Sequence, residues 1–145
     1  MFISCSRDFE SVVDCIDINL DCTKHIDKKG QYEYFMINTP EKRENSPEIL
    51  ARLNAELSVP ITTTIILLND KDGNPDIKAT CKFANNFEKA VVSLISLHGR
   101  QKHLKKSGDI KLTFIKEIVT IPVIANAGVR TKEDAETGAS GVMIG

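Results

Sequence analysis

Apolar runs that end on asparagine, histidine or glycine, alternating with helical stretches along the 145 residues, predict a parallel α/β fold of the β/α-barrel type. The clearest pair is Ile121-Pro-Val-Ile-Ala-Asn-Ala-Gly-Val-Arg130 and Ser140-Gly-Val-Met-Ile-Gly145. Each reads as a buried strand that delivers small or amide residues at its carboxyl end. Backbone N–H groups approach a phosphate only where side chains are small, and a helix N-terminus adds positive potential. The chain stops where the next loop should begin, so it is expected to be one piece of a larger barrel domain, a partial TIM (β/α)8 barrel.

The elements follow in order. Phe2–Ser4 is expected to be the edge of a strand, and Asp8–Asp14 a helical stretch. Cys15-Ile-Asp-Ile-Asn-Leu20 alternates apolar residues and predicts a strand with Cys15 in the core, followed by a polar loop from Asp21 to Gly30. Pro47–Leu57 carries apolar residues at helical spacing, with Ser46 as N-cap and Pro47 at the first helical position. Val59–Leu68 is rich in β-branched residues and predicts the next strand; Asn69–Pro75 is a loop. Asp76–Ala90 predicts a helix, Val91–Leu97 a strand running into His98-Gly99-Arg100, and Gln101–Gly108 a basic loop. Leu112–Val119 predicts the helix before the Asn126 strand. Six strands result, and a barrel of eight needs two more before residue 1.

Composition narrows the class. A hydrophobic content of 41% with 27% charged residues is that of a globular protein, and a net charge of -1 gives no global pull toward nucleic acid or anionic membrane. No apolar run reaches the length of a membrane span, and the N-terminus has no secretory pattern, so a cytoplasmic setting is expected. The four cysteines, Cys5, Cys15, Cys22 and Cys81, show no CxxC pairing, which excludes the common zinc and thioredoxin patterns. His25 lies three residues from Cys22, but two ligands do not make a metal site. Lys102-His-Leu-Lys-Lys106 is either a phosphate grip or a solvated loop.

In a β/α barrel the reactive groups stand at the strands' carboxyl ends. Those ends bring Asn19 and Cys22, Thr64 and Ile66, His98 and Arg100, Asn126 and Gly128, and Gly145 toward one mouth. The set suits a flavin phosphate, a polar ring edge and a thiol acid.

Asp17-Ile-Asn-Leu-Asp-Cys22, Leu97-His-Gly-Arg100, Ile121–Gly128 and Gly141-Val-Met-Ile-Gly145, with Pro60-Ile-Thr between them, resemble the tRNA-dihydrouridine synthases in order and spacing. The resemblance covers nearly the whole chain and corresponds to strands three to eight of that family's barrel. It implies an FMN enzyme that reduces uridine in tRNA to dihydrouridine, with NADPH re-reducing the flavin. In that family flavin N5 delivers hydride to C6 of uracil and a cysteine protonates C5; Cys22 matches that cysteine. His98 matches a flavin-contacting histidine, and Asn19 the asparagine of the same loop as Cys22. Asn126, Ala127 and Gly128 match the phosphate-side turn, Gly145 begins the second phosphate turn, and Arg100 stands where a guanidinium can meet phosphate or a base edge.

Departures from the family pattern are specific. The family's Asn-x-Gly-Cys-Pro reads Asn19-Leu-Asp-Cys-Thr23 here, its Lys-x-Arg reads Thr64-Ile-Ile66, and Ile3 stands for a glutamine. Ala127 replaces a glycine, and residues 1–145 are expected to lack the family's C-terminal helical tRNA-binding domain. Two alternatives stand beside the main reading. One is a catalytically inactive member or fragment of the family. The other is a different FMN barrel oxidoreductase, such as a dihydroorotate dehydrogenase relative.

Overall fold

A computed structural model of the chain describes residues 2–21, 37, 39–98, 119–126, 132 and 139–143. The described elements are α1 (Phe2–Phe9), β1 (Ile16–Asn19), α2 (Pro40–Glu56), β2 (Ile61–Ile66), α3 (Ile77–Lys89), β3 (Leu94–His98), β4 (Val123–Asn126) and β5 (Gly141–Met143). The five strands form one sheet in chain order, and every neighbouring pair is parallel. A doubly wound sheet would reverse its strand order at a switch point. Here the order never reverses, as in part of a β/α barrel, and α2 and α3 both pack on one face of the sheet.

The two faces differ accordingly. Ile61, Ile65, Ile95, Leu97, Val123 and Ala125 are buried in one cluster with Leu50 and Leu53 of α2 and Phe83, Ala84 and Phe87 of α3. The Phe83 and Phe87 rings lie 4.4 Å apart at 60°. By strand alternation the opposite face carries Asp17, Asn19, Thr62, Thr64, Ser96, His98 and Asn126. That face mixes these polar groups with the apolar Ile66, Leu94 and Ile124, while α2 and α3 pack on the other.

Four expectations need correction. Phe2–Ser4 is the start of a helix, so the described sheet has five strands rather than six, and Ile3 is not on a strand. A three-residue apolar run fits either period, and the helix is fixed from outside: Arg7 pairs with Glu56 at 2.8 Å and the Glu10 carboxylate accepts the Ser58 N–H. The stretch Asp8–Asp14 is consequently mostly turn. Cys15 precedes β1 and is exposed rather than core.

The fourth correction concerns α2, which begins seven residues before the predicted Pro47. Thr39 is the N-cap, its hydroxyl accepting the Lys42 N–H at 3.3 Å, and Pro40 takes the first turn. Pro47 lies inside the helix and cannot donate to the Arg43 carbonyl four residues back. The buried Ser46 hydroxyl donates to that carbonyl instead, at 3.1 Å. Pro40 and Pro47 are thus both compatible with helix, and the sequence pattern alone selected the wrong one.

Helix α3 matches its prediction closely. Asp76 caps it by accepting the Ala79 N–H at 2.9 Å. The buried Thr80 hydroxyl donates to the Asp76 carbonyl at 2.8 Å and accepts the Leu68 N–H at 3.1 Å, tying the end of β2 to the helix start. The exit is a Schellman turn: Val91 N–H bonds Glu88 O at 3.0 Å and Val92 N–H bonds Phe87 O at 3.2 Å. Val91 therefore adopts φ +66°, where glycine is usual, while Val92 drops into the core. Glu88 then reaches across to accept from Thr120 N and Oγ1 at 2.7 and 2.6 Å, fixing the approach to β4.

Two outcomes follow for stability. Val91 is exposed and β-branched at a left-handed backbone angle, a conformation costing roughly 1–2 kcal/mol for an L side chain. Val91→Gly should raise stability by about 1 kcal/mol in urea unfolding, since relief of strain outweighs the added unfolded-state entropy. An unchanged or lowered midpoint would show that the angle carries no strain. Glu88 is held below the usual carboxylate range, chiefly by the hydrogen bonds from Thr120. A depressed folded pKa adds stability above the unfolded value, and this is lost as pH falls through the folded value. Glu88→Gln should lower stability at neutral pH by less than about 1 kcal/mol, because water screens so exposed a carboxylate. The difference from wild type should close in acid; a difference that persists at pH 3 would rule out the ionic contribution.

Candidate active site

The carboxyl ends of β1, β2, β3 and β4 are adjacent, and register fixes which residues share a level. Asn19 pairs with Thr64, Thr64 with Ser96, Ile66 with His98, and His98 with Asn126. Asn19, His98 and Asn126 thus all stand at strand ends on the polar face. The structure therefore puts these three on one face at the strands' carboxyl ends. Cys22, Arg100, Ala127, Gly128 and Gly145 lie outside the described residues.

Two carboxylates organise this face, and neither was singled out for its partner in the sequence. Asp17 on β1 accepts the Thr62 hydroxyl at 2.7 Å and the Thr64 hydroxyl at 2.8 Å. Both threonines are buried, so their donors are satisfied within the sheet and are not offered outward. Beyond β1, the Leu20 N–H continues the pairing to Thr64 O at 2.7 Å, and the chain then turns. Asn19 makes that turn by accepting the Asp21 N–H on its own side-chain oxygen at 2.9 Å.

The turn aims Asp21 across β2 at β3. Its Oδ2 lies 2.5 Å from His98 Nδ1, with the two side chains only 10% and 25% exposed. An ionised carboxylate accepts and cannot donate, so Nδ1 carries the proton. The other ring nitrogen, Nε2, is buried and has no hydrogen-bond partner among the described residues. The Ser96 hydroxyl, on the same face two residues earlier, is likewise buried without a partner. Buried polar atoms are ordinarily paired, at a cost of about 1–3 kcal/mol where they are not. Two such orphans on one strand face fit a polar ligand edge.

Flavin is the ligand the sequence implies, and the described residues fit part of it. Asn19, Ser96, His98 and Asn126 offer donors and acceptors for the edge of a planar heterocycle. By contrast, the polar face of the strands carries no lysine or arginine, and Thr64, in the place of the family's lysine, is engaged by Asp17. Among the described residues no group of three or more His, Cys, Asp or Glu side chains is placed to hold a metal ion. No helix among them is long and apolar enough to cross a membrane.

Comparison with known proteins agrees with this geometry. The family model described as dihydrouridine synthase (Dus) matches residues 4–145. The chain belongs to the dihydrouridine synthase family. A tRNA-dihydrouridine(16/17) synthase [NAD(P)(+)]-like protein of Rattus norvegicus is 32% identical, covering 99% of this chain and 33% of its own length. A probable tRNA-dihydrouridine synthase of Synechocystis is 34% identical over 88% of this chain and 36% of its own. The human tRNA-dihydrouridine(20a/20b) synthase [NAD(P)+]-like protein is 31% identical over 89% of this chain and 41% of its own. The chain therefore spans between a third and about two fifths of the length of these curated relatives. In this member of the dihydrouridine synthase family, the singly wound parallel sheet is that of a partial TIM barrel.

Ser96 and the Asp21–His98 contact were missed by sequence reasoning for different reasons. Ser96 was available: it stands two residues before His98 on a strand and so shares its face. The Asp21 contact depends on how far a turn after β1 reaches over β2, which no spacing along the chain encodes.

Proposed function

We propose that this chain is the catalytic-barrel portion of an enzyme that reduces uridine in tRNA to dihydrouridine, with FMN bound and NADPH as reductant. The observation that carries this reading is the polar strand-end face centred on the partnerless Nε2 of His98, in a chain of the dihydrouridine synthase family. FMN, when bound, would supply hydride for C6 of the uracil ring. The thiol of Cys22 gives its proton to C5, so hydride and proton together saturate the C5–C6 double bond. A thiol of ordinary pKa, near ~8.5, is mostly protonated at neutral pH and suited to that role. Asn19, His98 and Asn126 hold the polar edge of the flavin ring. Backbone N–H groups at Ala127, Gly128 and Gly145 hold its phosphate, and Arg100 meets the tRNA. With this reading goes a cytoplasmic setting for the reaction. Family membership favours this chemistry over that of a dihydroorotate dehydrogenase relative.

The test is flavin binding followed by turnover. Purified chain should bind FMN with a quenched, perturbed flavin spectrum and, with NADPH, form dihydrouridine in unmodified tRNA. Cys22→Ala should leave FMN affinity unchanged and lower tRNA reduction by at least about a hundredfold, the lower range for a lost general acid. Absence of any FMN binding would refute the reading for this chain by itself.

A second reading is favoured by one observation: the Asp17 carboxylate and its two threonines occupy the part of β2 where the family pattern has a lysine. A member built this way binds its ligand without efficient turnover. Thr64→Lys separates the two. An ammonium at this position faces the Asp17 carboxylate and restores a cation for the ring, which should tighten FMN binding about tenfold for a partly screened charge. It should also raise tRNA reduction if cation loss is what limits the wild-type chain; tighter binding with no gain in turnover would favour the non-catalytic reading.

A further inference from the structure

Asp21 stands where the family pattern has a glycine, so its contact with His98 belongs to this chain. We infer that Asp21 is a positioning residue that locks the neutral His98 imidazole as its Nδ1–H tautomer, turning the Nε2 lone pair into the site to accept a hydrogen bond from the imide N–H of a planar pyrimidine-type ring. The inference rests on the flavin and uridine reading above, and it names the atom of this chain that reads the ring.

The physical steps are few. A free imidazole exchanges its single proton between two nitrogens, so one ring presents a donor or an acceptor to a ligand. The Asp21 carboxylate offers only acceptors, and at 2.5 Å it binds the proton on Nδ1. Nε2 of the neutral ring is then an acceptor only. It is buried and has no hydrogen-bond partner among the described residues. A complementary ligand must bring a donor. Both groups expected at this mouth carry such a donor: the isoalloxazine of FMN and the uracil of the substrate each have an imide N–H flanked by carbonyls. The second orphan, the Ser96 hydroxyl, lies on the same strand face two residues back, about 7 Å along β3. A hydroxyl can donate, which suits a ring carbonyl rather than the imide N–H.

Asp21 itself is held for this task. Asn19 accepts its backbone N–H, and residue 20 is anchored to β2 by the Leu20 N–H to Thr64 O bond, so the carboxylate is delivered from a braced turn. Here the direction of the proton is set from behind.

The test reads the tautomer directly. Uniformly 15N-labelled full-length chain at pH 8, where an ordinary imidazole is neutral, should show the His98 ring in the Nδ1–H pattern in long-range 1H–15N correlation spectra. Loss of that signal in His98→Gln assigns it among the three histidines. An Nε2–H pattern in the wild-type chain overturns the inference without any variant. Asp21→Ala should release the ring to the Nε2–H form, and Asp21→Asn, whose amide oxygen still accepts, should restore Nδ1–H. FMN and uridine monophosphate are then titrated separately. The ligand whose imide is read should shift the Nε2 resonance, and Asp21→Ala should weaken that ligand by tenfold or more, the scale of one buried hydrogen bond lost. A shift with FMN assigns the contact to the flavin, and a shift with uridine monophosphate assigns it to the base. FMN bound with Nε2 unmoved by either ligand overturns the imide contact while leaving the flavin reading intact. Binding of neither ligand overturns the flavin reading itself and the contact with it.

Discussion

Parallel pairing in unbroken chain order is the constraint on which the rest depends. Each strand must return over the sheet before the next can begin, and parallel strands in unbroken order favour returns over one side. One face therefore meets α2 and α3 and becomes the core, from Ile61 through Ala125. The other face can hold polar groups. The same alternation that buries Ile95 and Leu97 aims Ser96 and His98 the opposite way. Function is placed on the reverse of the core by the pleat itself.

That division explains how legible the chain was. Strand positions around Asp17, Thr63, Leu97 and Ala125 could be read from β-branched and apolar runs, because a strand buried on one face and lined on the other leaves a strong pattern. Helix α3 was legible because Asp76 and its flanking loop mark its start. The start of α2 was not, since Pro40 and Pro47 carry the same local signal and only the Ser46 bond to the Arg43 carbonyl makes the inner proline tolerable. The first helix was illegible for another reason. Its anchors, Glu56 and Ser58, come nearly fifty residues later in the chain.

The site divides the same way. Asn19, His98 and Asn126 were accessible from the rule that chemistry gathers at strand ends; register sets His98 beside Asn126 and Asn19 level with Ser96. What could not be read was how the carboxylates are spent. Asp17 is consumed by two hydroxyls of the neighbouring strand, and Asp21 by an imidazole two strands away. Both are tertiary events between residues far apart in sequence.

Taken together these contacts define an electrostatic character different from the family pattern. Where that pattern has a cation on β2 and a glycine in the turn after β1, this chain has Thr64 and Asp21, and the effect of each is contained by an internal partner. A ligand entering the polar face meets no unpaired charge among the described strand residues. It meets the directional groups left over, foremost Nε2 of His98 and the Ser96 hydroxyl. A charge attracts any anion over several ångströms, whereas a buried lone pair rewards only a donor in line with it. Recognition at this site accordingly rests on hydrogen-bond geometry, and the residue that sets this geometry is Asp21, which touches no ligand itself.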